Sequence, residues 1–224
     1  SDKKCLEIGI GQGADAEQIV RRGGSYSGLD LTHEAVRRVT RRFELKQLPF
    51  DQIVQGSILE APFEDNSFDL VFSHGVLHHV PDILGAQREI SRILKPDGLL
   101  VVMLYARHSL NYHLSIRLLR RAGLLGAYLT GRKFGGKLGR HLELARETGL
   151  REYLKIDNFT HRNTDGPDNP YALVYDLHDV RRDFPDFQVE HYYKNFRWAP
   201  PIPLSWLPGD SLWGWHLWVH MRQR

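Results

Sequence analysis

The chain has 224 residues, of which 42% are hydrophobic and 25% charged, with one cysteine and a formal net charge of +3. This length suits one large domain or two small ones, and the spread of apolar residues excludes an intrinsically disordered chain. The single cysteine, Cys5, excludes a disulfide framework. The sequence has no apolar run long enough to span a membrane and no signal-peptide pattern, so we expect a globular, cytoplasmic protein.

Short apolar runs alternate with helical patterns over the first hundred residues. The chain begins at Ser1, immediately before the first run, which leaves open a native segment ahead of it. Helices are predicted at 14–22, 33–46 and 82–94, each followed by a Gly or Pro turn signal. The runs themselves are typical of buried parallel strands: CLEIGI, SYSGLDL, FDQIVQ, FDLVFS and LLVVMLY. This alternation predicts an α/β fold with a doubly wound parallel sheet, whose ligand crevice lies at the carboxyl ends of the strands.

The alternation stops after the fifth strand. Residues 107–155 contain eight Arg, three Lys and three Glu, a net charge of +8, so the rest of the chain carries −5. This segment is predicted to form basic amphipathic helices, clearest at 110–122 and 138–148. Further along we predict a polar loop at 159–171, a helix at 177–184, a strand at 187–193, a Pro-rich stretch at 199–208 and a last strand at 213–221.

A glycine-rich turn ends the first strand. The sequence LEIGIGQG places Gly9, Gly11 and Gly13 ahead of a helix, where the backbone can approach a ligand closely and the helix start offers free N–H groups. Taken alone, such a turn is also typical of nucleotide-binding Rossmann folds. Two carboxylates near this turn strengthen its interpretation as a binding site. Glu7 lies inside the first strand, and Asp30 ends the second strand, 17 positions after Gly13. A carboxylate at the tip of the neighbouring strand can accept both hydroxyls of a ribose.

Four segments carry a resemblance to a known family. LEIGIGQG, GLDLTHEAV, QGSILEAPFEDNSFDLVFSHGVLHHVPD and ILKPDGLLVVM, in this order, resemble class I S-adenosylmethionine-dependent methyltransferases, especially the small-molecule branch that includes the ubiquinone and menaquinone enzymes. The resemblance covers residues 4–104 and implies a mostly parallel, seven-stranded Rossmann-like sheet with a helical insertion after the fifth strand. Together with the basic segment and the polar loop, it predicts three parts: a cofactor-binding core at 1–106, a basic insertion and polar loop at 107–170 that form a lid over the acceptor, and a C-terminal completion of the sheet at 171–224.

The resemblance also implies a cofactor, S-adenosyl-L-methionine, and the residues that hold it. The glycine turn and Glu7 would hold its methionine part, and Asp30 would bind the ribose. Ser57 stands where the family usually has an Asp that binds the adenine amino group, so adenine contact would depend more on apolar neighbours. The predicted cofactor residues are Glu7, Gly9, Gly11, Gly13, Asp30, Leu31, Ser57, Ile58, Leu59 and Ser73.

Two histidines after the fourth strand are the candidate catalytic residues. Imidazole titrates near neutral pH, so His79, and after it His78, could take a proton from an acceptor or orient it. Both could equally serve only packing and hydrogen bonding at a helix start. The twelve histidines are scattered without metal-ligand spacing, so we predict no metal.

Polar residues in two places are candidates for acceptor binding. One group follows the fifth strand, where acceptor-binding residues of this fold lie, and the other belongs to the predicted polar loop. The loop could instead use its side chains to satisfy its own backbone. The candidates are Tyr105, Arg107, Asn111, His161, Arg162, Asn163 and Asp165.

The predicted function is transfer of a methyl group from S-adenosylmethionine to a small-molecule acceptor, with oxygen favoured over nitrogen or carbon. The basic insertion favours an anionic acceptor, and a homodimer is left open. Alternatives are an RNA methyltransferase, a fold that binds the cofactor without transfer, and a nicotinamide-dependent oxidoreductase. Ser73-His74-Gly75-Val76 stands where a base-modifying Asn/Asp-Pro-Pro-Tyr motif would lie, so nucleic acid is not the expected partner.

Overall fold

The computed structural model describes residues 3–202 and 209–224, so 203–208 of the Pro-rich stretch lie outside the described residues. The described strands are β1 (Lys4–Ile8), β2 (Ser25–Asp30), β3 (Gln52–Gln55), β4 (Phe68–His74), β5 (Leu94–Tyr105), β6 (Phe187–Asn195) and β7 (His216–Gln223). The helices of the first part are α1 (Ala14–Arg21), α2 (His33–Lys46) and α3 (Ile83–Ile93), with short 3₁₀ turns at Ile58–Glu60 and Leu77–His79. The remaining helices are a π-helix (Asn111–Arg120), α4 (Arg121–Leu129), α5 (Gly136–Thr148), α6 (Leu150–Tyr153), α7 (Ile156–Thr164), α8 (Leu177–Asp183) and α9 (Asp210–Trp213).

The strands form a single seven-stranded sheet in the order β3-β2-β1-β4-β5-β7-β6. β1 is parallel to both β2 and β4, and its last residue, Ile8, pairs with Leu29 on one side and Ser73 on the other. β2 is parallel to β3, and β4 to β5. Because parallel strands end at the same edge, the glycine turn and Asp30 lie side by side, and the predicted α/β sheet is confirmed.

Local signals start the helices of this sheet. Gly13 caps α1 in the left-handed conformation, at φ 74°. The Thr32 side chain accepts a hydrogen bond from the backbone N–H of Ala35 at the start of α2, and Asp82 accepts one from Gly85 at the start of α3. Such caps satisfy N–H groups that the first helical turn leaves without partners.

The chain forms two compact units. The first unit comprises Ser1–Leu104, Leu177–Tyr193 and Trp218–Arg224, and the second comprises Tyr105–Asp176 and Lys194–Leu217. All of residues 107–170 therefore fall in the second unit, and their service as a lid stays a prediction. Among the described residues, no helix combines the length and the apolar character needed to cross a membrane.

Two predictions for the C-terminal half are wrong. Residues 159–164 of the predicted polar loop belong to α7, where Phe159, Thr160 and Asn163 are buried and the other residues are partly exposed. Spacing of three and four residues is helical, but Pro167 and Pro170 further on dominate the local sequence signal. The last strand begins at His216 rather than at residue 213, because Trp213 ends the short helix α9.

Candidate functional site

The glycine turn after β1 has a left-handed backbone. Gly9, Gly11 and Gly13 have φ of 78°, 51° and 74°, a region that strains residues with a side chain. The N–H of Gly9 donates to the carbonyl of Leu29, 2.7 Å away, which ties the turn to β2. A Cβ built on Gly9 would lie 2.1 Å from Cγ2 of Val76, whereas one on Gly11 would meet nothing within 4 Å. The turn therefore has no room for a side chain at Gly9, whereas it has room for a Cβ at Gly11.

Glu7 is a buried carboxyl beside this turn. Its side chain is 2% exposed, and its Oε2 accepts a hydrogen bond of 2.7 Å from the hydroxyl of Tyr26. Burial raises the pKa of Glu7 to about 8, helped by repulsion from Asp15 and Asp30 and opposed by the Tyr26 hydrogen bond. A positive charge near this carboxyl would favour its ionised form.

Asp30 presents a carboxylate at the end of β2. Its Oδ1 accepts hydrogen bonds from the backbone N–H and the hydroxyl of Thr32, at 2.9 and 2.8 Å. Among residues 3–202 and 209–224, Oδ2 has no hydrogen-bond donor. Asp30 therefore retains an acceptor oxygen on the wall of a cavity.

This cavity, of about 300 Å³, lies at the carboxyl ends of β1, β2 and β3. The first unit supplies all of its walls, which are mostly aliphatic. It brings together seven of the predicted residues: Gly9, Asp30, Leu31, Ser57, Ile58, Leu59 and His79. Val76, Val80 and Pro81 also line it and were not predicted, although they follow β4 in the segment that contains the two histidines.

Four other predicted cofactor residues do not line the cavity. Glu7 is buried behind the turn, and Gly11 and Gly13 follow it along the backbone. Ser73 is fully buried, and its hydroxyl donates to the carbonyl of Ile8 at 3.2 Å. The hydroxyl of Ser57, on the wall, accepts a 3.1 Å hydrogen bond from the backbone N–H of Leu59.

The two candidate histidines differ in their surroundings. His78 is fully buried, whereas His79 lies on the cavity wall. Their ring centroids are 4.3 Å apart. A ligand in the cavity can therefore reach His79, and His78 packs beneath it.

In the second unit, the predicted acceptor residues after β5 are engaged in different ways. The ring of Tyr105 stacks on Trp215, with centroids 4.4 Å apart, and its hydroxyl donates to Oδ1 of Asp165 at 2.7 Å. Burial and the Asp165 carboxylate raise the pKa of Tyr105. Arg107 donates to the carbonyl of Val174 and lies 3.6 Å from the Asp176 carboxylate.

Asn111 is the first residue of the π-helix and is 1% exposed. Within the described part of the chain, neither its amide nitrogen nor its amide oxygen has a hydrogen-bond partner. A buried polar group without a partner destabilises a fold, by about 1–3 kcal/mol, and π-helical segments are frequent at functional positions. The binding role of Asn111 stays a prediction.

The predicted residues of α7 and of its C-terminal end divide into two groups. The ring of His161 stacks on Tyr171, with centroids 5.2 Å apart, and its Nδ1 lies 2.7 Å from the carbonyl oxygen of Ala172. Arg162, Asn163 and Asp165 instead line a second cavity, of about 840 Å³, built entirely from the second unit.

The first part of the chain is similar to known methyltransferase sequences. Residues 6–102 match the family described as "Methyltransferase domain". The chain is 37% identical over 98 residues to a sterol 24-C-methyltransferase of Gibberella zeae and 35% identical over 98 residues to a fatty-acid O-methyltransferase of Mycolicibacterium smegmatis. Each match covers 43% of this chain, and the chain spans only 26% and 35% of the length of these relatives.

Solved structures share the fold over the full chain. An S-adenosylmethionine-dependent methyltransferase from Methanosarcina mazei superposes with a TM-score of 0.63 at 16% identity, covering 99% of this chain and 92% of its own. Another, from Mesorhizobium loti, gives a TM-score of 0.62 at 17% identity, covering 100% of this chain and 92% of its own. The fold is that of Rossmann-like methyltransferases.

Proposed function

We propose that this chain, whose residues 6–102 match a methyltransferase domain family, transfers a methyl group from S-adenosylmethionine to a small-molecule acceptor. The observation that carries the proposal is the cavity of the first unit, where Asp30 stands among aliphatic walls beside the glycine turn. The sequence relatives, which act on sterols and fatty acids by name, support a small-molecule acceptor.

The residues of the cavity and of the adjoining strand β1 fit the cofactor in three respects. The ligand has a ribose diol, an apolar base and a charged amino-acid end. Asp30 offers a carboxylate oxygen for the diol, and Leu31, Ile58 and Leu59 offer apolar contact for the base. The buried carboxyl of Glu7 lies behind the glycine turn, where it would favour a bound ammonium.

When bound, S-adenosylmethionine supplies a methyl group on a positively charged sulfur. The chain would then have to hold the acceptor in line with the methyl group and to exclude water. The aliphatic walls of the cavity would serve the second task, because they offer few polar groups to water. We infer oxygen as the acceptor atom. His79, on the cavity wall, would take the proton that a hydroxyl acceptor must release.

We expect Asp30→Asn to weaken binding of S-adenosylhomocysteine, the demethylated cofactor, by about 10- to 100-fold, because hydrogen bonds to a charged acceptor contribute about 1.5–3 kcal/mol. Isothermal titration calorimetry measures this affinity directly. Asp51→Asn serves as the control, because Asp51 is exposed and bonds to Ser25 at the opposite edge of the sheet. Equal affinities of the two variants, or no binding of the cofactor to the unaltered protein at millimolar concentration, would contradict the proposal.

His79→Gln is expected to lower the rate of methyl transfer by about 10²- to 10⁴-fold, the usual contribution of a general base, while S-adenosylhomocysteine binding stays unchanged. The assay follows formation of S-adenosylhomocysteine with a panel of long-chain carboxylates, phenols, amines and sterols. Mass spectrometry of the product then identifies the methylated atom. His33→Gln, an exposed residue at the start of α2, is the control. A His79→Gln variant that retains full activity would exclude the proton-transfer role.

A further inference from the structure

The cavity of about 840 Å³ in the second unit has the size of a binding site for a sizeable organic molecule. Residues of the π-helix, α4, α5 and α7 line it, together with Trp198 and the two prolines that follow. Its walls are largely apolar, with Leu124 and Phe159 at the buried side. An apolar chain or ring system would find matching contacts there.

A half-buried cation faces this cavity. Arg120 donates to the carbonyl of Asn163 at 2.7 Å, and its guanidinium lies 5.8 Å from the ring centroid of Trp198. No carboxylate of residues 3–202 and 209–224 forms an ion pair with it. Burial lowers the pKa of Arg120, which reflects the cost of a desolvated charge without a counterion.

The charged residues that line the cavity give it a net positive charge. Arg162 donates to the carbonyl of Pro167 at 3.0 Å and, in the described part of the chain, forms no ion pair. Lys137 adds a third cation to the lining. The lining carboxylate, Asp165, already accepts the hydroxyl of Tyr105. His141 is neutral at physiological pH, because burial and the two arginines lower its pKa to about 4.

We propose that this cavity is a binding site for an amphiphile with an apolar body and a carboxylate head, the head pairing with the guanidinium groups of Arg120 and Arg162. An anion there supplies the missing counter-charge, and Arg is well suited to paired hydrogen bonds with a carboxylate. The inference goes beyond the proposed function, since this binding requires no methyl donor.

Binding of laurate and of lauryl alcohol, measured by calorimetry without cofactor, tests the carboxylate preference. We expect laurate to bind about tenfold more tightly than the alcohol, because charge-assisted hydrogen bonds to the head are lost in the alcohol. Arg120→Gln keeps an N–H donor for Asn163 but removes the charge, so it should remove the preference and leave alcohol binding unchanged. Arg117 lies on the same helix, and its guanidinium packs over the ring of Tyr112. Arg117→Gln should therefore preserve the preference for laurate.

A second pair of variants tests the location. Gly123 and Gly126 both lie in α4, and a Cβ on either would meet nothing within 4 Å, so the two positions are matched for an added Cβ. Gly123 lines the cavity, whereas Gly126 does not. Gly123→Leu should weaken binding of both ligands about tenfold, and Gly126→Leu should not.

Three results would overturn the assignment: laurate binding no tighter than the alcohol, the same preference in Arg120→Gln as in Arg117→Gln, or undiminished binding in Gly123→Leu. Because the assay contains no S-adenosylmethionine, such a failure would leave the methyl-transfer proposal untouched. That proposal is tested separately by Asp30→Asn in the first unit.

Discussion

Gly9→Ala is expected to lower the free energy of unfolding by about 2–5 kcal/mol, because it combines a left-handed backbone with a steric clash. The backbone φ of 78° disfavours any residue with a Cβ, and the added methyl would lie 2.1 Å from Cγ2 of Val76. Val76 also lines the cavity of the first unit, so relief of the clash moves a wall of the proposed site. We therefore expect weaker binding of S-adenosylhomocysteine in the fraction of protein that still folds.

Gly11→Ala is the matched control for this variant. Its φ of 51° is also left-handed, but a Cβ there meets nothing within 4 Å, so we expect a loss of only about 1–2 kcal/mol. Urea denaturation measures both values. Val76→Ala in the Gly9→Ala background removes the clashing methyl groups and should recover part of the loss, a coupling that independent sites do not show. Equal destabilisation by Gly9→Ala and Gly11→Ala would contradict the steric argument.

The buried carboxyl of Glu7 is expected to make the cofactor-free protein less stable as pH rises. Below its ordinary pKa of 4.5, Glu7 is protonated in both the folded and the unfolded chain, and the stability of the neutral form is fully present. Between pH 4.5 and about 8 the unfolded chain releases this proton while the folded chain retains it. The free energy of unfolding therefore falls, by up to about 1.4 kcal/mol for each pH unit, and levels off above the folded pKa.

Denaturation at a series of pH values with Glu7→Gln checks this dependence. The amide cannot ionise, so the variant should lose this downward slope, whereas Glu64→Gln, at an exposed position, should keep it. Binding of S-adenosylhomocysteine, whose ammonium favours the ionised carboxylate, should release a proton, seen as a dependence of the binding heat on the ionisation heat of the buffer. Identical pH profiles of the unaltered protein and Glu7→Gln would exclude the raised pKa.

Features with local signals could be predicted from the sequence. Apolar runs bounded by turn residues located the five parallel strands, and α2 covers the predicted residues 33–46, ending before Pro49. Asp30 and the glycine turn could be placed together because parallel strands end at one edge.

Features that depend on tertiary burial could not be predicted in this way. The π-helix replaces part of a predicted α-helix, and nothing in the spacing of its apolar residues distinguishes the two. The second cavity joins Arg120, His141 and Trp198, which are far apart along the chain. The raised pKa of Glu7 and the lowered pKa of His141 arise mainly from burial, which no local pattern reports.

The second unit is built from two separate stretches of the chain, which limits how it can be exchanged between proteins. Tyr105–Asp176 and Lys194–Leu217 are separated by Leu177–Tyr193 of the first unit, and Trp218–Arg224 returns to the first unit afterwards. A cut at any single position between these stretches removes part of both units. A chimera that exchanges the second unit between relatives must therefore carry two inserts with four matched junctions, and β5, β6 and β7 each contain one of those junctions.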